Sequence, residues 1–104
     1  MKTNTIIKSL IDLQVLEEVA PTLRALAHPA RLRIIDFLKD GEQPVAKIVE
    51  VTGTSQALTS HQLGILRAHG VVKARRAGNQ VFYHVANPSA LGVLECIRKA
   101  EKQD

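Results

Sequence analysis

A chain of 104 residues carrying a formal charge of +4, 45% hydrophobic but only 3% aromatic, has room for one domain with a core of Leu, Ile, Val and Ala. That composition favours helices over a sandwich or barrel, and a domain so small gains from oligomerisation. The lone Cys96 excludes an intrachain disulfide, and Ser9, Asp12, Gln14 and Glu17 interrupt the apolar N-terminal run, so the chain reads as cytoplasmic, neither exported nor membrane-spanning.

In chain order, the first predicted element is a helical segment ending near Ala27, in which Pro21 either kinks one helix or starts another. His28-Pro29, Gln43-Pro44 and Asn87-Pro88 each set a proline after a cap and before an apolar pattern, and Gly41, Gly53 and Gly70 close such patterns. Helices are therefore expected over 29–39, 44–52 and 55–69. Residues 71–76 and 80–86 alternate as strands around a turn of Ala77, Gly78 and Asn79, and a last helix runs from Pro88 toward Lys102. The predicted fold is mainly α with a small β-hairpin, in the order α-α-α-α-β-β-α.

Charge is not spread evenly over this map. Between Thr54 and Gln80 stand Arg67, Lys73, Arg75 and Arg76 and no carboxylate, while the remaining residues carry ten charges of each sign. The whole excess thus lies on the fourth helix and the hairpin, and a basic unit of this kind attracts phosphate by releasing counterions. The partner this favours is nucleic acid, which a helix-turn-helix narrows to double-stranded DNA.

The helices over 44–52 and 55–69, joined at Gly53, have the build of a helix-turn-helix, with the second helix offered to the major groove. Thr54 or Ser55 can cap it. Thr59, Leu63 and Leu66 define its inward face, leaving Gln56, Ser60, His61 and Gly64 outward and Leu58 near the leading end for a thymine methyl. Gln pairs with adenine edges, Ser and His reach bases or phosphates, and small residues permit close approach. Arg75, Arg76, Asn79 and Gln80 surround Gly78 at the hairpin tip, and strand alternation aims one of the two arginines at DNA. Against this stands the plainer reading of solvated polar residues and a charged hairpin that resists aggregation.

The run Ala25-Leu-Ala-His-Pro-Ala-Arg-Leu-Arg-Ile-Ile35, then Ser55-Gln-Ala-Leu-Thr-Ser-His-Gln-Leu63 and Gly70-Val-Val, resembles the ArsR/SmtB family of small winged-helix repressors, from about Leu23 to Tyr83. The resemblance implies a winged helix-turn-helix homodimer held by its first and last helices, 1–27 and 88–104. With the helix-turn-helix at 44–69 and the wing at 71–86, it would bind an inverted repeat in a promoter and release it when an inducer binds. Carried over, the DNA-reading residues are Ser55, Gln56, Ser60, His61 and Gln62, with Arg75, Arg76 and Asn79 in the wing. The chain also departs from the pattern. Pro44 and Ala46 stand where metal-sensing members place cysteines, and Asn87 and Ser89 where others use aspartate and histidine, so neither usual metal site assembles and no cofactor is expected. Thr59 replaces a usual buried Val, and its hydroxyl is expected to bond back to a helix carbonyl.

The four histidines share no ligand spacing: His28 caps or packs beside Pro29, His69 ends a helix, and His84 lies on a strand. Cys96 reads as a small side chain at a dimer seam; the sharper alternative is a redox-responsive repressor in which oxidation modifies or links two such thiols. Leu10, Leu13, Leu16, Leu91, Leu94 and Ile97 exceed what one small core needs and are expected at a subunit interface. A competing class is a winged-helix protein-interaction module that no longer binds DNA, marked by an acidic partner. No paired carboxylates, activated nucleophile or phosphate loop favours an enzyme.

Overall fold

The computed structural model describes residues 9–102, so the start of the predicted first segment lies outside them. Helix α1 spans Leu13–Leu26; Asp12 caps it, its carboxylate accepting from the Gln14 N–H at 2.9 Å. Pro21 lies inside this one helix and does not divide it. Helix α2, Pro29–Leu38, begins as its proline requires, with His28 extended at the cap and its Nδ1 accepting from the Ala30 N–H. That bond leaves the ring proton on Nε2.

The third expected helix starts one residue late. Gln43–Pro44 is a two-residue strand, β1, and α3 runs Val45–Thr52 with Pro44 at its cap. The short strand was invisible in the sequence because its partner is remote: Gln43 pairs with Tyr83 and Pro44 with Phe82. Gly53 ends α3 at φ +72°, a left-handed cap that glycine adopts without steric cost. Helix α4, Gln56–Ala68, is capped by Ser55, whose hydroxyl accepts from the Leu58 N–H at 3.1 Å.

Strands β2, Val72–Ala77, and β3, Gln80–Val85, pair from Val72 with Val85 to Ala77 with Gln80, giving the sheet order β1-β3-β2. The turn is tighter than expected, only Gly78 and Asn79, with Gly78 at φ +62°. Helix α5, Pro88–Glu101, is capped by Asn87, which accepts from the Ser89 N–H. The Val71 carbonyl accepts from the N–H groups of Ala86 and Asn87, tying the end of α4 to the start of α5.

The core gathers Leu26, Ile34, Ile35, Leu38, Ile48, Leu63, Leu66, Val71, Val72, Ala90 and Leu94. Every helix contributes, and α1 does so only through its last turn. One expectation fails here: Leu94 is 7% exposed and packs into its own subunit's core, because α5 lies directly on α2. Leu10, Leu13, Leu16, Leu91 and Ile97 by contrast stand exposed, with Leu13 at 67%. These bare side chains, just before α1 and along α1 and α5, leave apolar surface uncovered in the single chain.

Candidate nucleic-acid interface

Helix α4 buries Thr59, Gln62, Leu63 and Leu66, which turns Gln56, Ala57, Ser60, His61 and Gly64 outward. Its first turn carries no acidic residue, so the free N–H end keeps its positive potential toward an approaching phosphate. Between Gln56 and Ser60 on α4, the α3 cap region at Pro44–Ala46, and the wing residues Asn79, Gln80, Val81 and Tyr83 runs an open cleft of about 350 Å³. Reading helix and wing tip therefore flank one groove. Ala57, which the sequence reading passed over, sits at the middle of the exposed face, where a methyl can meet a thymine methyl; the helical wheel alone would have found it.

Gln62 does not belong to that surface. It is 6% exposed, and its Oε1 accepts from Arg31 Nη1 at 2.8 Å. Two residues short of Gly64, it points to the core side of α4, so the carry-over from the family pattern fails at this position.

The wing separates its two arginines by strand alternation. Arg75 shares a sheet face with Phe82 and stacks on that ring at 5.0 Å, while its Nε and Nη2 donate to the two Glu42 carboxylate oxygens at 3.0 and 2.6 Å. The hydrogen bond from Arg75 is the main cause holding Glu42 below the ordinary carboxylate range. Arg75, one of the two wing arginines of which strand alternation aims one at DNA, is thus held in an ion pair by Glu42. Arg76 pairs with Val81 on the opposite face, the one Tyr83 shares with the cleft, and among the described residues it has no ion pair.

The turn of the helix-turn-helix is held by hydroxyls. Thr52 Oγ1 donates to the Ile48 carbonyl at 2.7 Å, so it must accept from Thr54, which in turn must accept from Thr59. The Thr59 hydroxyl, 1% exposed, is satisfied by this relay rather than by a carbonyl of its own helix, as the sequence had suggested.

Elsewhere, Arg98 donates to Asp36, tying α5 to α2, and Lys39 lies 3.1 Å from the same carboxylate. Burial pushes the Asp36 carboxyl upward, but hydrogen bonds from Lys39 and Arg98 and their charges outweigh it and hold the group below its usual value. Cys96 is exposed on α5. His69 Nδ1 lies 3.0 Å from the Ile65 carbonyl at the end of α4, and His61 faces outward. Among the described residues no three His, Cys, Asp or Glu side chains gather as a metal site, and no helix is long and apolar enough to cross a membrane.

Residues 28–74 match the family model for bacterial regulatory proteins of the arsR family. The HTH-type transcriptional regulator NmtR of Mycobacterium tuberculosis is 39% identical over 85 residues, 82% of this chain and 71% of that protein. A biofilm growth-associated repressor of Agrobacterium fabrum is 40% identical over 77% of this chain and 68% of its own length. Among solved structures, the transcriptional repressor BigR of Xylella fastidiosa superposes with a TM-score of 0.77 at 32% identity, over 86% of this chain and 96% of that one. A homodimeric winged helix-turn-helix DNA-binding domain from Mycobacterium bovis gives 0.75 at 30% identity, over 91% and 90%. With a reading helix, a basic wing and this likeness over most of its length, the chain belongs to the ArsR family of winged helix-turn-helix transcriptional regulators, DNA-binding proteins and not enzymes.

Proposed function

We propose that this protein is a cytoplasmic homodimeric repressor that binds an inverted-repeat operator, with α4 in the major groove and Arg76 and Asn79 of the wing against the neighbouring backbone or minor groove. The observation that carries this reading is the shared cleft: Gln56 and Ser60 on the outward edge of α4 and Asn79 and Gln80 of the wing flank one groove, Arg76 stands opposite its lining residue Val81 in the sheet register, and no carboxylate lies between Thr54 and Gln80. Ser55, Gln56, Ser60 and His61 are the candidate base and phosphate contacts on the helix. Two-fold symmetry would set two reading helices about 34 Å apart, one turn of duplex.

The dimer is supported by the bare apolar side chains of α1 and α5, of which Leu13, Leu16, Leu91 and Ile97 are exposed in the single chain. Burying them against a second copy removes from water the surface that a lone subunit leaves open. Release would follow from an inducer that shifts the dimer, a small molecule or an oxidant acting at Cys96.

The test is a binding titration of the purified protein against its own upstream DNA and against a random duplex of equal length, at several salt concentrations. A preference for the upstream duplex of roughly 10³-fold or more, with log affinity falling linearly in log salt, is the expected result. Equal affinity for the two would remove the claim of specific reading.

A further inference from the structure

We propose that Arg31 is a positioning residue that couples the subunit interface to the reading helix, a role resting on the DNA-binding reading above. The last four carbonyls of a helix need partners from outside its ladder. At the end of α1, those of Leu23 and Arg24 accept from the Ala27 N–H, and that of Leu26 from the His28 N–H. The remaining one, on buried Ala25, accepts from Arg31 Nε. Arg31 therefore completes the C-terminal cap of α1 from the first turn of α2.

The same guanidinium reaches the other way. Its Nη1 donates to Gln62 Oε1, on the buried side of α4. Among the described residues, no other side-chain hydrogen bond or ion pair joins α1 to the rest of the domain. The fork is planar and stiff, so its two bonds fix one angle between the end of α1 and the flank of α4. Helix α1 carries the exposed Leu13, Leu16, Val19 and Leu23 toward a second subunit, whereas Gln62 lies one residue from His61 and two from Ser60 on the outward edge. A tilt of α1 imposed by the partner is passed through this fork to the helix that meets DNA. Coupling of this kind is reciprocal, so DNA must also tighten the dimer by the same factor.

The experiment compares the full chain with Arg31→Met, which loses both bonds, and Gln62→Met, which keeps the α1 cap and loses only the link. The probes are a duplex selected by the parent from a random pool and a random duplex of the same length. Both variants are expected to bind the random duplex within about twofold of the parent, since phosphate contacts are untouched. On the selected duplex each should weaken by about tenfold, and the double variant should weaken no further than Arg31→Met alone. The tightening of the dimer by selected DNA, read by sedimentation, should shrink in the same proportion. If Arg31→Met does not fold, Gln62→Met decides alone. Parent-like selectivity in Gln62→Met, or equal losses on the two duplexes, overturns the coupling. A parent that selects no duplex at all overturns the DNA-binding reading instead, a result distinguishable from either.

Discussion

At the scale of single residues, the hydroxyl relay from Thr59 through Thr54 to Thr52 has a direction, and the direction sets what each truncation costs. Thr54→Ala would strand the buried Thr59 hydroxyl without an acceptor, a loss of about 1–3 kcal/mol in denaturant unfolding. Thr59→Val removes only a donor to an oxygen that keeps its own bond to Thr52, so its cost is expected to stay below about 1 kcal/mol. The outward residues divide in a comparable way. Gln56→Ala should relax preference at one base position, at about 1–3 kcal/mol on the parent duplex, while Arg76→Glu should weaken every duplex and flatten the salt slope. Binding measured on a panel of single-base variants separates the two patterns. Gln56, Ser60 and His61 were legible as outward because helical periodicity depends on sequence spacing alone. The inward turn of Gln62 was not, because its partner is 31 positions away and only folding brings Arg31 beside it.

At the scale of elements, the wing is a hairpin whose two arginines have been given different tasks by pleat geometry. Glu42 precedes β1 and lies opposite Arg75 only because β1 adds to the edge of β3, on the side away from β2. Removing that carboxylate in Glu42→Gln should release Arg75 to phosphate, tightening binding to random duplex and steepening the salt slope by about one ion per subunit. An unchanged slope would mean that Arg75 stays on Phe82 without its ion pair. On the far side of the domain, Asp36 joins α2 to α5 through Arg98. Its folded carboxyl is depressed, so the stability it adds is present above the ordinary carboxylate value and lost as pH falls through the depressed one. Asp36→Asn should therefore lower the stability at neutral pH, by no more than about 1 kcal/mol for so exposed a pair, seen as a lower melting temperature, and the gap from the parent should close in strong acid.

At the scale of the whole molecule, the first helix is anchored only at Ala25 and Leu26 while most of its apolar side chains face outward. A helix of that kind is stable when something covers it, and a second copy offers a matching surface. Leu16→Glu places a charge on the row and should yield a monomer in sedimentation, with binding to a two-half-site duplex falling to that of a single half-site. A dimer surviving this change would locate the interface elsewhere. Leu94 shows the limit of counting apolar residues. Its helical spacing on α5 is as good as that of Leu91 and Ile97, yet the packing of α5 on α2 claims Leu94 for the core and leaves the other two outside.

The residues by themselves determined the order of helices and hairpin, the caps at His28, Ser55 and Asn87, the placement of the basic stretch and the family to which the pattern belongs. These are properties of local spacing and of side chains acting on neighbouring backbone, so no tertiary contact is needed to read them. Only the fold decided that Gln43–Pro44 becomes a third strand, that Arg75 is held by Glu42 while Arg76 is not, and that Arg31 spans from Ala25 to Gln62. Each of the latter joins positions far apart in the chain, and their pairing exists only after the core of Ile34, Ile35, Ile48 and Leu63 has closed and fixed where the helices and sheet lie.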